Sequence, residues 1–216
     1  MNNNLLYDYW LSYTQPSHSK HTVVAEKALK KLVGQYRQPW RHYHTLKHIE
    51  QMLSLFQQYE SSISSPPTVF FSICFHDYYY LPWRKNNEKR SAIKAIKELE
   101  KLHLGSLSHD VEHMILATEK HLPSADLFPI NKTDTELLLD FDLAILGSQW
   151  VNYLHYCQQI RKEYWFVPQN KYQAGRKQIL MNFLTRERLY FSEQFFAQLE
   201  QQARENIQRE IQLLNQ

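Results

Sequence analysis

Between its prolines this chain keeps returning to one pattern, apolar residues three and four apart, and that pattern commits it to helices. Ile49, Met52, Leu53 and Phe56 form such a stripe, and Val23, Val24, Ala28, Leu29, Leu32 and Val33 form another. Glycine is scarce, 4 in 216 residues, so the punctuation falls to 8 prolines, and no strand-like alternation lasts. The pattern predicts helices over about 5–13 (ended by Gln15-Pro16) and 21–36. A third starts near Thr45, and a fourth is opened by Pro66-Pro67 after a loop over 61–65. Helices follow over about 87–104, closed by Gly105, and over 108–121. The next is capped by Thr133 with Glu136 and stops at Gly147. The last three are expected over about 149–166, over 171–184, and from Ser192 to near the end. Phe196, Leu199, Ala203, Ile207, Ile211 and Leu214 are the inner face of the final one. With no repeat and no linker, the expectation is a single all-α helical bundle domain over residues 1–216.

Composition narrows the function. A hydrophobic content of 43% with 22% charged residues is that of a globular chain. A net charge of +3 lacks the clustered basic face of a dedicated nucleic-acid binder. No apolar run is long enough to span a bilayer, so no membrane partner is expected. The start, Met1-Asn2-Asn3-Asn4, does not read as a signal peptide, and Cys74 and Cys157 sit in apolar surroundings as reduced thiols. A cytoplasmic location follows as the expectation. Eleven histidines are many for this length and hint at a polar site.

Three places set metal-type ligands against apolar helices: His44 with His48, His76 with Asp77, and Asp142. His44 and His48 are four apart and meet on one helix face or across its first turn. His76-Asp77 ends the apolar run 69–75, where an opening last turn lets both heads converge on one ion. Asp140 and Asp142 interrupt Leu137-Leu138-Leu139-Asp140-Phe141-Asp142-Leu143-Ala144-Ile145-Leu146, which is apolar nearly all round and therefore central. Buried carboxylates of this kind need compensation worth several kcal/mol. No Lys or Arg neighbours Asp77 or Asp142, and a divalent cation supplies the charge. The competing reading is that each His packs or hydrogen-bonds in a wet groove.

The order His48, His76-Asp77, Asp142 resembles the signature of the HD superfamily, helical metal-dependent phosphohydrolases named for their His-Asp doublet. The likeness extends through Arg41-His42-Tyr43-His44-Thr45-Leu46-Lys47-His48-Ile49, Asn87-Glu88-Lys89-Arg90-Ser91-Ala92, Arg161-Lys162-Glu163-Tyr164, Gly175-Arg176 and Ala203-Arg204-Glu205-Asn206-Ile207, so it spans about 36–210. It implies one or two divalent ions held by His48, His76, Asp77 and Asp142. The Tyr43-His44…His48-Ile49 segment is similar to the entry helix of cyclic-nucleotide phosphodiesterases, which implies His44 as proton donor and His48 as ligand. Imidazole and carboxylate ligands without thiolate suit Mn, Fe, Co, Ni, Zn or Mg. Such an ion makes hydroxide available near neutral pH for attack on phosphorus.

Around this core stand further candidates. Asp77 can bridge two ions, and Glu88 can hold a metal-bound water or serve as an ordinary first-turn Glu. His113 and His121, two turns apart on one expected helix, are candidates for a second ion or for substrate. Arg41, Lys47, Arg161 and Arg176 are candidates for a phosphate or, more commonly, surface or structural charges. The aromatic clusters 78–83 and 164–166 stack a base or, more commonly, fill the core. The expected function is hydrolysis of a phosphoester or phosphoanhydride on a small phosphorylated substrate, such as a nucleotide. The alternatives are a non-catalytic metal- or nucleotide-binding module, and a structural protein whose polar groups are satisfied internally.

Overall fold

The computed structural model describes residues 5–14, 19–123 and 129–215, with the side chains at 19–21 and 129–131 left aside. The chain is all-α: among the described residues ten helices and three short 3-10 turns occur, and no strand. They gather into two compact units, one running to Leu138 and one from Leu139.

In the first unit, α1 (Leu5–Thr14) and α2 (Ser19–Tyr36) precede α3 (Leu46–Tyr59). The residues 15 and 16 expected to end α1 lie outside the described set. The buried stripe of α2 is Ala25, Ala28, Leu29, Leu32 and Tyr36, while Val23 and Val24 face solvent. That stripe keeps the helical period better than the expected one did. Thr45 caps α3 by accepting the Lys47 N–H at 3.3 Å, and Ile49, Met52, Leu53 and Phe56 are buried as the stripe predicts.

Helix α4 (Pro66–Phe75) starts at its prolines and buries every residue from Thr68 on. Its entry is fixed by Asp134 of α7 (Pro129–Leu143), whose two carboxylate oxygens accept the Ser64 and Ser65 N–H groups at 2.8 Å. Thr133 is therefore inside α7 and not its cap.

Helices α5 (Asn87–Lys101) and α6 (Ser108–Thr118) both end earlier than expected. Each closes on a histidine in the left-handed region, His103 at φ 58° and His121 at φ 47°, where glycine is the usual choice. Leu104 N–H reaches back to Leu99 O at 2.8 Å, and Leu122 N–H to Ala117 O at 3.3 Å, so these ends keep the bonds of a Schellman-type stop. Gly105 instead begins a 3-10 turn.

The second unit contains the end of α7, a 3-10 turn at Ala144–Gly147, then α8 (Trp150–Glu163), α9 (Gln169–Leu184) and α10 (Glu193–Leu213). Asp140 is fully buried and compensated: it accepts the N–H groups of Phe191 and Ser192 at 2.8 Å and the Ser192 hydroxyl at 2.6 Å, pinning the start of α10. The buried face of α10 differs from the expected one. Phe195, Glu200, Ala203, Asn206, Ile207 and Glu210 point inward, while Phe196, Leu199 and Ile211 are only half-buried. The reason is that the polar members have partners. Glu200 accepts the Leu189 and Tyr190 N–H groups, and Asn206 donates to Leu146 O and Ser148 O at 2.8 Å. Gly147 sits against α10 so closely that a Cβ there would lie 2.6 Å from Leu199 Cβ.

Candidate metal centre

The chain places His48 in the first turn of α3 and His76 as the residue that closes α4, both 2% exposed. His76 keeps helical φ and ψ, and its Nδ1 donates to Ile73 O at 2.9 Å, the only sense open to a carbonyl partner. This bond assigns the ring's proton to Nδ1 and leaves the Nε2 lone pair directed outward. There it meets His48 Nε2 at 3.3 Å and Asp77 Oδ2 at 3.2 Å.

Asp142, half-buried near the end of α7, completes a set: His48, His76 and Asp142 each offer one ligand atom, and these lie within 4.8 Å of one another. Of the four ligands implied by the resemblance, these three form the group, and Asp77 joins it through His76.

The donor set fits a divalent cation. Ligand atoms held at about 2.1 Å around a tetrahedral or octahedral ion lie roughly 3.0–3.4 Å from each other. The two Nε2 atoms are at that spacing before any ion is considered. With His76 protonated on Nδ1, two nitrogen lone pairs would oppose one another in a buried site unless a proton or a cation lies between them. Nitrogen with carboxylate oxygen, and no sulfur, suits the first-row metals and Mg named above. Cys74 is buried two residues before His76 in α4, and burial pushes its thiol up, so it stays neutral.

Four neighbours shape the cluster. His44, in the turn before α3, lies with Nε2 3.9 Å from Asp77 Oδ2, and its ring stacks on Tyr80 with centroids 4.1 Å apart. Arg41 is 4% exposed and donates to three main-chain carbonyls, His44 O at 3.1 Å, Asp77 O at 2.8 Å and Tyr78 O at 2.9 Å. Tyr36 and Tyr80 flank its guanidinium at 4.9 and 5.5 Å. Arg41 thus braces the segment after the doublet to the turn that carries His44. Asn87, also buried, clamps the connecting loop by accepting the Leu81 N–H at 3.2 Å and donating to Leu81 O at 3.0 Å. Ser91 accepts the Tyr79 N–H at 3.0 Å. Sequence reasoning did not single out Asn87 or Ser91 as loop ties. A buried-side Asn and Ser one turn apart at a helix start were the available signal.

Glu88 is half-buried, and burial pushes its carboxyl above the ordinary range. The charges of Asp77 and Glu119 act in the same direction, and His121 opposes them. Glu88 and His121 therefore lie within electrostatic reach of one another, and Glu88 within reach of Asp77.

His113 stands elsewhere: its ring stacks on His109 at 4.3 Å. Because α6 stops at Thr118, His113 and His121 do not share a helix, and the two-turn relation expected of them does not hold. Lys47 is exposed beside the α3 cap. Arg161 and Arg176, in the second unit, are taken up by main-chain carbonyls and by Glu210. Tyr78 and Tyr80 are buried, while Trp83 and Trp165 are exposed.

Comparison with protein-family models, with curated proteins and with solved structures found no match. The chain is all-α and brings together two buried histidines and a half-buried aspartate that could hold a metal ion. Among the described residues, no helix is long and apolar enough to cross a membrane.

Proposed function

We propose that this chain is a metal-dependent phosphohydrolase of the HD type, acting on a small phosphorylated substrate such as a nucleotide. The observation that carries the reading is the pair of buried imidazole Nε2 atoms 3.3 Å apart, with a carboxylate of the same small cluster beside them. Groups so arranged are costly to bury unless a proton or a cation lies between them, and a cation can also take the nearby carboxylates as ligands.

In this reading His48, His76 and Asp142 hold the ion, and Asp77 is the fourth ligand or the bridge to a second one. When bound, the ion lowers the pKa of a coordinated water and neutralises phosphate charge. The remaining work belongs to side chains. His44, with Nε2 3.9 Å from Asp77 Oδ2, would deliver a proton to a leaving oxygen. Stacking on Tyr80 limits its rotation. Glu88, with its carboxyl raised by burial, can receive and return a proton near the cluster.

The test is elemental analysis of the purified protein, together with assays on an aryl phosphate and a nucleotide panel across the divalent metals. Bound metal and metal-dependent turnover, both lost in an Asp77→Ala variant that still folds, are the expected results. Protein that takes up no metal and is inactive across the whole screen would overturn the reading. Tight nucleotide binding without turnover would convert it to the non-catalytic module.

A further inference from the structure

The second unit contains a cavity of about 440 Å³ between α8, α9 and the end of α10, and no residue assigned above to the metal cluster lines it. We propose that it binds a single-chain organic anion, an alkyl carboxylate of about eight carbons, with its tail in the cavity and its head at Lys162; pockets of ~300–1,000 Å³ suit ligands of this scale.

The walls suit a hydrocarbon tail. Trp150, Leu154, Tyr172, Leu213 and Leu214 line the cavity and give a ligand apolar surface on several sides. Cys157 adds a thiol that burial pushes up, so it remains a neutral part of the wall.

The charges around the cavity set the sign of the head. One carboxylate lines the cavity, that of Glu210, and it is already consumed. Arg176 donates to its two oxygens at 2.8 and 3.1 Å, and the Tyr153 hydroxyl donates to it as well. Glu210 therefore offers nothing to a cationic ligand.

The cations are in the opposite condition. Arg161 lines the cavity, and its three hydrogen bonds go to neutral acceptors: Tyr164 O at 2.7 Å, Val167 O at 3.1 Å and Gln169 Oε1 at 3.0 Å. Its charge is thus held in place without being balanced. Lys162, the next residue, also lines the cavity and is exposed. Arg209 lies over the Trp150 ring at 4.0 Å. Among the described residues none of these three cations is paired with a carboxylate. An apolar cavity edged by uncompensated positive charge selects an anion with a hydrocarbon tail.

Isothermal titration of the full chain with octanoate, 1-octanol and octylammonium tests this directly. Octanoate is expected to bind saturably at one site, 1-octanol several-fold more weakly, and octylammonium least. Going from hexanoate to octanoate should tighten binding by about fourfold per methylene. Leu154→Trp, which fills the cavity, should abolish binding. Lys162→Glu, an exposed change that leaves the melting temperature unaltered, should weaken octanoate by roughly tenfold, and added salt should weaken it further. The proposal is overturned by the absence of saturable octanoate binding, by octylammonium binding as tightly, or by undiminished affinity in Lys162→Glu. It is also overturned if anionic vesicles bind and free octanoate does not. If Leu154→Trp fails to fold, Lys162→Glu and the head-group series decide the matter alone.

Discussion

Two regions of this molecule bury charge, and they do so by opposite means. In the second unit Arg176 meets Glu210 through two short bonds, with Tyr153 and Tyr156 filling the remaining valences, so the network is neutral and closed. Burial alone would raise the Glu210 carboxyl, and the Arg176 charge more than offsets it and holds the group below its ordinary range. In the first unit the polar atoms brought together are alike. Two imidazole nitrogens face each other, and a carboxylate oxygen of Asp77 stands beside them. The first arrangement is complete as a protein. The second is one that could hold a cation. Buried polarity as such does not mark a candidate site; like acceptor atoms facing one another are the sharper signal.

Substitutions at four positions sharpen that contrast. The largest effect on folding is expected for Glu210→Ala, which strands Arg176 in the interior at about 3–5 kcal/mol, measured by denaturant unfolding. Replacing both partners with apolar residues should recover most of that loss, and failure to recover it would refute the self-contained reading. Because the folded Glu210 pKa is depressed, its stabilisation is present above the ordinary carboxylate range. It fades as pH falls through the lowered value, so the difference between wild type and Glu210→Gln should shrink in acid.

At the cluster the large loss should be in metal and not in folding. His48→Ala is expected to lower metal affinity by more than about 100-fold, beyond the 10–100-fold typical of an outer partner. Arg41→Met should fall within that smaller range, since it frees the carbonyls it braces without removing a ligand; competition with a chromophoric chelator reads both. The smallest effect is expected for Glu88→Gln in metal-free protein. A carboxyl raised on folding loses stability as pH climbs through its titration, so the variant should melt slightly higher at neutral pH and no differently in acid.

Much of the fold was legible because it rests on local chemistry. The Thr45 cap, the Pro66 entry, the Ser192 cap and the α3 stripe are short-range signals, and each stands where the residues place it. The ends of α5 and α6 were missed because His103 and His121 take a left-handed conformation that non-glycine residues usually avoid at a cost of about 1–2 kcal/mol. The burial of Glu200 and Glu210 on α10 was hidden for a different reason: their partners lie 11 and 34 residues away.

The same limit governs the site. Asp140 and Asp142 look equivalent in sequence, yet two positions on a helix point nearly opposite ways. Asp140 closes on the start of α10, while Asp142 joins the histidines. Arg41 reads as a candidate for phosphate or, more commonly, as a structural charge, and the carbonyls 36 and 37 residues away show that it is a brace.

That brace also sets how the molecule breathes. Arg41 ties the turn before α3 to the segment after α4, so neither strip of backbone can detach while the other stays in place. Amide hydrogens along the two strips should then exchange in one step, with a common opening free energy, and an ion held by His48 and His76 would slow both by the same factor. Release of such an ion and loosening of this corner would then be a single event, and the lifetime of a bound metal would depend on the rigidity of a guanidinium outside its ligand set.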